Sequence, residues 1–202
     1  MMPSARPAPD FAAARRAMID SQLRTSGVNE PWVLARMMTV AREDFVPETA
    51  RGVAYTDRAV PLGDGRWLGA PLVQARMLAE ARPTQTDRAL VVDGGSGYLP
   101  ALLAPLVGTI ETLDAETAAA GRKGKGEGEA TLLMIDGAVE KIPDSLARRL
   151  TEGGRVVSGL VVNGVTRLAV GRKTAGAIAL LPLAEMGIPR LPAFDRPKVW
   201  SF

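Results

Sequence analysis

The feature that most constrains the fold of this chain is a glycine-rich turn between a short apolar run and a helical stretch. Residues 88–92 form the apolar run, Asp93-Gly94-Gly95-Ser96-Gly97 forms the turn, and a helix is predicted over 98–106. A second run, 108–113, follows and ends on Asp114. Glycines after a strand let a ligand approach the backbone, and the N-terminus of the next helix supplies free N–H groups. This unit therefore predicts a nucleoside-type binding site on a parallel sheet.

The remaining elements alternate in a way that predicts an α/β fold. Apolar periodicity and turn residues predict further helices over 11–24, 30–40, 71–81, 115–122 and 142–150, and strands over 130–135, 155–162, 166–170 and 177–183. The alternation favours a parallel sheet covered on both faces, with an antiparallel hairpin at one end. The turn-rich residues 55–70 and the charged, glycine-rich residues 121–129 are predicted to be irregular.

These elements predict a division of the chain into three parts. Residues 1–10 are expected to be a disordered lead-in that lacks the apolar segment of a secretory signal. Residues 11–82 are expected to form an N-terminal helical and loop segment packed on the same domain as the sheet-containing core, 83–202. No apolar run reaches the roughly 18 residues that suggest a membrane span, so we expect a cytoplasmic protein without a membrane partner.

The composition removes several kinds of chemistry, because the chain contains no cysteine and no histidine. Disulfide frameworks, cysteine nucleophiles, Ser-His-Asp triads and the common zinc sites are excluded. Chemistry must use carboxylates, hydroxyls, Lys or Arg, backbone groups or a cofactor, and no metal site is expected. The 25 basic and 22 acidic residues give a net charge of +3 without a clustered basic face, so no nucleic-acid partner is expected.

The acid that ends the second strand indicates what the turn binds. Asp114 follows Gly97 by 17 residues, close to the roughly 20 residues that separate the turn from a ribose-binding acid. Pro100 occupies the last position of a G-x-G-x-x-G pattern, so a dinucleotide and a nucleotide-binding oxidoreductase are disfavoured. A mononucleoside such as S-adenosylmethionine fits at least as well. Asp136 and Glu140 follow the next strand, at the edge where ligands lie in such sheets. A plain tight turn with solvated acids is the alternative.

Several blocks of the sequence resemble the protein-L-isoaspartate O-methyltransferase family. They are residues 40–47 (VAREDFVP), 54–57 (AYTD), 61–63 (PLG), the turn Gly95-Ser96-Gly97-Tyr98, and 142–157 from Ile142-Pro143 to Gly153-Gly154-Arg155-Val156-Val157. The resemblance implies a Rossmann-like methyltransferase sheet, S-adenosylmethionine as cofactor and an isoaspartyl peptide carboxylate as methyl acceptor. It also implies that the 95–98 turn binds the amino-acid part of the cofactor and that Asp114 binds the ribose.

The acceptor loop departs from the family pattern G-Q-T-x-S-x-P. The matching run is residues 65–71, in which Trp67 stands in place of Thr and Gly69 in place of Ser. Both hydroxyls of the pattern are therefore absent. Arg66 is a candidate to replace them, because a guanidinium can pair with a carboxylate through two hydrogen bonds.

The cofactor side departs from the family as well. Aligned on the 95–98 turn, Val91 replaces the usual acid and Asp93 replaces the first glycine, so Asp93 is predicted to be a substitute carboxylate. Asp136 is predicted to join it in binding the cofactor. Only about 20 residues separate Asp114 from Ile135, too few for the strand that the family places there. We therefore expect an edge strand to be missing and the adenine side of the pocket to be more open.

The sequence therefore predicts methyl transfer from S-adenosylmethionine to an isoaspartyl or D-aspartyl carboxylate of a protein or peptide. A catalytically weakened relative, which keeps the fold as a ligand-binding, regulatory or interaction protein, is the alternative. The protein is expected to be a monomer or a weak oligomer.

Overall fold

The computed structural model describes residues 10–121 and 129–196, which form a twisted sheet with helices on both faces. Within these residues the main sheet has six strands in the order β4-β3-β5-β6-β7-β8. They are β3 (Arg88–Asp93), β4 (Thr109–Asp114), β5 (Ala130–Val139), β6 (Leu150–Val162), β7 (Val165–Thr174) and β8 (Ala177–Glu185). The first four are parallel, and β7 and β8 are antiparallel. The predicted fold class is confirmed.

The N-terminal segment is mainly helical, as the apolar periodicity predicts. It contains α1 (Phe11–Met18), a π-helical turn (Ile19–Leu23), α2 (Pro31–Thr39), and two 3-10 segments, Arg42–Phe45 and Glu48–Val53. The expectation that residues 55–70 are irregular is wrong. Val60–Gly63 and Arg66–Leu68 pair as the antiparallel strands β1 and β2 of a small hairpin. These strands are too short to show an alternating pattern in the sequence.

The first crossover helix, α3 (Pro71–Ala81), has the predicted bounds. The other three are shorter than the sequence predicts: α4 (Tyr98–Leu103), α5 (Ala115–Ala119) and α6 (Asp144–Arg149). The Asp114 carboxylate caps α5 by accepting the Thr117 N–H at 2.7 Å. A 3-10 turn, Ala104–Leu106, continues α4.

Two hydrophobic clusters form the core, one on each face of the sheet. Alternate residues of a strand point to opposite faces, and β3 and β5 follow this rule. Ala89 and Val91 join the cluster formed with the N-terminal helices, whereas Leu90 and Val92 join the cluster formed with α5, α6 and Phe194. Both faces of the central strands are therefore buried, as is typical of parallel sheets.

In the part of the chain that the structure describes, β4 is the edge strand of the sheet. This agrees with the prediction that a further edge strand is missing after Asp114. Residues 1–9 and most of the predicted loop 121–129 lie outside the described residues. Among those described, no helix combines the length and apolar character that crossing a membrane requires.

Candidate functional site

A cavity of about 510 Å³ lies at the carboxyl ends of the central strands. Asp93 ends β3, Asp114 ends the neighbouring β4, and Asp136 lies near the end of β5. Strand register places Asp93 directly beside Asp114. These acids were predicted as site residues, and the structure places all of them on the wall of this cavity. They meet because parallel strands end at the same edge of the sheet.

The Asp93 carboxylate occupies the inside of the glycine-rich turn. The Gly97 N–H donates to both of its oxygens, at 3.0 and 3.1 Å. Burial raises the pKa of Asp93, and hydrogen bonds from the Gly97, Gly95 and Ser96 amides oppose that rise. The amides that a glycine-rich turn commonly offers to a ligand are thus directed at the chain's own carboxylate.

The turn passes so close to the end of β5 that Gly94 can carry no side chain. A Cβ atom at this position would overlap the backbone carbonyl oxygen of Asp136. The next residue, Gly95, has φ +102°, in the region that glycine adopts most readily. This turn therefore holds β3 and β5 in close contact at the floor of the cavity.

Asp136 is buried on that floor with an incomplete set of hydrogen bonds. It is 7% exposed. Its Oδ1 accepts the Gln74 side-chain N–H at 3.5 Å, and its Oδ2 has no hydrogen-bond partner in the described structure. Burial, reinforced by the negative charge of Asp93, raises the pKa of Asp136 to about 7. An unpaired buried carboxylate oxygen is costly unless a ligand group satisfies it.

Behind Asp136 lies a buried arginine that the sequence analysis did not select as a site residue. Arg42 donates to the Gly69 carbonyl at 2.7 Å, the Ala54 carbonyl at 2.8 Å and Gln74 Oε1 at 2.6 Å. Burial lowers the pKa of Arg42. The chain Arg42–Gln74–Asp136 thus connects the acceptor loop to the cavity floor. Two features of the sequence could have identified these residues. Arg42 belongs to the VAREDFVP block, and Gln74 is a polar residue on a buried helix face.

Asp114 lies at the exposed rim of the same cavity. Its Oδ1 accepts the Thr117 N–H at 2.7 Å and its Oδ2 accepts the Thr117 hydroxyl at 2.8 Å. These bonds lower the pKa of Asp114. A carboxylate has about four lone-pair sites, so this capping role leaves capacity for a ribose diol.

Comparison with known proteins identifies a family to which the chain is similar. A family model for protein-L-isoaspartate(D-aspartate) O-methyltransferase matches residues 13–116. A protein-L-isoaspartate O-methyltransferase from Koribacter versatilis is 35% identical over 190 residues, covering 83% of this chain and 86% of the relative. A Rhodopseudomonas palustris relative of the same name is 33% identical over 172 residues, covering 74% of this chain and 70% of the relative.

The chain belongs to the protein-L-isoaspartate O-methyltransferase family. The resemblance seen in the sequence is confirmed, and the family assignment favours a methyltransferase over a nucleotide-binding oxidoreductase. A Plasmodium falciparum structure, described as a member of this family in complex with S-adenosyl-L-homocysteine, has a TM-score of 0.69 and 16% identity. It covers 91% of this chain and 99% of its own chain, which shows a shared fold.

Residues 65–68 of the predicted acceptor loop belong to the β1–β2 hairpin, which lies beside the cavity. Arg66 lies across the glycine-rich turn, since a Cβ atom on Gly95 would come within 2.6 Å of Arg66 Cδ. Its guanidinium is half-exposed and lies 3.5 Å from Asp64. Trp67 also lines the cavity and is 42% exposed. Gly69 is not among the lining residues, and its carbonyl is bound to Arg42 instead.

The second half of the family's G-S-G-Y turn faces the protein interior. The Ser96 hydroxyl accepts the Tyr98 N–H at 3.1 Å. Tyr98 is fully buried, with its ring edge-on to Phe45 and 4.9 Å from the Arg42 guanidinium carbon. Ser96, Gly97 and Tyr98 do not line the cavity, whereas Gly95 does. Their direct contact with a cofactor stays a prediction.

A C-terminal segment of this family member closes one side of the cavity. The Pro189 carbonyl accepts the Ala138 N–H at 2.7 Å, and the Leu191 N–H donates to the Ala138 carbonyl at 2.9 Å. Residues 189–193 thus line the same cavity as Arg66 and Trp67 of the hairpin. Arg190 pairs with Glu140 and Asp195 at 2.8 and 2.9 Å, so Glu140 anchors this segment.

Proposed function

We propose that this protein transfers the methyl group of S-adenosylmethionine to the carboxylate of an isoaspartyl residue in a protein or peptide. Family membership supports this reaction class. The observation that carries the proposal for this chain is that one cavity brings together the glycine-rich turn, the strand-end acids and Arg66 of the acceptor loop.

The residues at the cavity fit an S-adenosylmethionine molecule. The ligand carries a positive sulfonium, an ammonium and a ribose diol, and the cavity offers Asp93, Asp136 and Asp114. Asp136 has an unsatisfied buried oxygen that a cationic group can pair with. Asp114 stands where the ribose-binding acid of a nucleoside site is expected. Gly95 has no Cβ atom, which leaves room for the Arg66 side chain to lie across the turn.

The reaction needs no general base. When bound, S-adenosylmethionine supplies a methyl group whose bond to sulfur breaks with both electrons going to sulfur, while an acceptor carboxylate oxygen forms the new bond and no proton moves. A free carboxyl group has a pKa near 4 and is ionised at neutral pH. This reaction therefore requires neither histidine nor cysteine, and the chain contains neither.

The protein's contribution is orientation and exclusion of water. Arg66 lies at the mouth of the cavity, where its guanidinium can pair with the acceptor carboxylate through two hydrogen bonds. Trp67 and the 189–193 segment stand on either side and shield the site from solvent. The Arg42–Gln74 connection positions the loop through the Gly69 carbonyl.

Calorimetric titration with S-adenosylmethionine tests the cofactor assignment. We expect saturable binding at a single site, weakened in Asp136→Asn because the cation loses its buried carboxylate. Absence of binding at millimolar ligand would overturn the proposed function.

Substitution of Arg66 tests the acceptor assignment. We expect Arg66→Ala to raise the KM for an isoaspartyl peptide by about tenfold or more, since a charge-assisted pair contributes about 1.5–3 kcal/mol. The affinity for S-adenosylmethionine should stay within about twofold of wild type, and Arg66→Lys should restore part of the loss. The exposed Arg58→Ala is the matched control. An unchanged peptide KM in Arg66→Ala would contradict the assignment.

A further inference from the structure

The cavity floor differs from an ordinary phosphate- or carboxylate-binding turn because its amides are already occupied. Backbone N–H groups in such turns usually form an anion-binding cradle. Here the Asp93 carboxylate accepts the Gly97 amide at 3.0 and 3.1 Å and is also stabilised by the Gly95 and Ser96 amides. A ligand carboxylate at this turn would have to displace Asp93 and would meet its negative charge.

The neighbouring Asp136 adds a second buried acid with a free acceptor. Its residue exposure is 7%, and Oδ2 has no partner in the described structure. Its other oxygen, Oδ1, accepts the long hydrogen bond from Gln74 at 3.5 Å. Asp136 lines the cavity, so a ligand can supply the missing hydrogen-bond donor. An ammonium group has three N–H donors and no acceptor.

The basic residues near this acidic floor offset its negative charge only in part, since Arg42 attracts Asp136 and Arg66 attracts Asp93 but the pKa of both acids stays raised. Arg190 is held by Glu140 and Asp195 in the C-terminal segment. Arg66 lies at the mouth beside Asp64 and is the group that we assign to the acceptor carboxylate. The floor itself therefore favours cations.

We propose that Asp93 and Asp136 hold the amino-acid part of S-adenosylmethionine by its ammonium group, and that no group among the described residues of the cavity floor is dedicated to its carboxylate. This inference rests on the proposed function and refines it to a specificity. The site then accepts sulfonium nucleosides that carry an aminopropyl chain as well as those that carry a full amino acid.

Calorimetry with four nucleosides tests the inference on the full-length protein. Decarboxylated S-adenosylmethionine differs from the parent ligand only in lacking the carboxylate, so we expect its Kd to lie within about threefold of the parent value or to be lower. S-adenosylhomocysteine and 5′-methylthioadenosine are both uncharged at sulfur, and the second lacks the amino-acid chain. We expect 5′-methylthioadenosine to bind about tenfold more weakly than S-adenosylhomocysteine, because it lacks the ammonium group and its charge-assisted hydrogen bond.

The variant Asp136→Asn tests whether Asp136 holds the ammonium group of the ligand. It should weaken the binding of both sulfonium ligands by about tenfold and change the Kd of 5′-methylthioadenosine by less than about twofold. Asp57→Asn, which removes an exposed carboxylate that does not line the cavity, is the matched control and should leave all four affinities unchanged. A melting curve of each variant checks that it is folded.

The outcomes separate this inference from the proposed function. Strong binding of S-adenosylmethionine with decarboxylated ligand more than about tenfold weaker would overturn the inference and leave the function standing. A loss of S-adenosylmethionine affinity in Arg66→Ala, with decarboxylated ligand unaffected, would also overturn it, because Arg66 would then hold the cofactor carboxylate. Absence of binding by every ligand would overturn both.

Discussion

At the scale of single residues, the buried carboxylate of Asp136, which we propose binds the cofactor, lowers the stability of the unliganded protein. A buried carboxylate loses its hydration, and Asp136 accepts a long hydrogen bond from Gln74 while its Oδ2 has no partner in the described structure. Its charge also lies near that of Asp93, so the protonated form is favoured and the pKa rises to about 7. An apolar or amide side chain at this position would be less costly to the unliganded protein.

This cost predicts a pH-dependent gain in stability for Asp136→Asn. The folded-state pKa lies above the reference value of 3.8, so the folded protein binds more protons and Asp136 destabilises it as pH rises from about 4 to about 7. Asparagine does not titrate. Urea unfolding should therefore show the variant gaining roughly 2–3 kcal/mol on wild type between pH 5 and pH 8.

The matched control for this measurement is the exposed Asp57→Asn. A difference between Asp136→Asn and wild type that stays constant from pH 5 to pH 8 would contradict the assigned ionisation of Asp136.

At the scale of elements, the floor of the site depends on how closely the turn after β3 approaches β5. Gly94 has no room for a Cβ atom because the backbone oxygen of Asp136 lies there. Backbone cannot move aside as a flexible side chain does, so any substitution has to separate the two strand ends.

We therefore expect Gly94→Ala to destabilise the fold by about 1–3 kcal/mol, the usual cost of overpacking. It should also weaken S-adenosylmethionine binding, because it displaces Asp93 and Asp136 relative to each other. Gly52→Ala is the control, since a Cβ atom there meets nothing within 4 Å. Urea unfolding and calorimetry of both variants measure the two effects. Equal stability of the two variants would contradict the close approach.

The element scale also shows what sequence reasoning can and cannot find. The strand-end acids were predicted to meet, because the order of strands and helices determines which loop ends lie together. The β1–β2 hairpin was missed because its strands are short and carry no alternation. Arg42 and Gln74 are 32 residues apart, and their contact depends on how α3 packs on the N-terminal segment. Such packing leaves no periodic signal in either stretch.

At the scale of the whole molecule, the N-terminal helices and the sheet share one hydrophobic cluster. Met18, Leu23 and Met37 pack in the same cluster as Val91 and Met134 of the central strands. Arg42 adds polar contacts between the N-terminal segment and α3. The β1–β2 hairpin and the glycine-rich turn are thus parts of one packed unit.

This shared core predicts a single cooperative unfolding transition. Two of the three tryptophans, Trp32 and Trp67, lie in the N-terminal half, so tryptophan fluorescence reports mainly on that part, while far-UV circular dichroism reports on the sheet and helices together. The two urea transitions should coincide at the same midpoint. An earlier fluorescence transition would contradict the shared core and indicate that residues 11–82 unfold separately.

The central claim, that this cavity methylates isoaspartyl carboxylates, is tested most directly by methyl transfer to a pair of matched peptides. The peptides share one sequence and differ only in having an isoaspartyl or a normal aspartyl linkage, and S-adenosylmethionine carries a labelled methyl group. The account predicts base-labile label on the isoaspartyl peptide and little on its aspartyl partner. Tight binding of S-adenosylmethionine with no label on either peptide would contradict the claim and favour a ligand-binding relative that retains the fold.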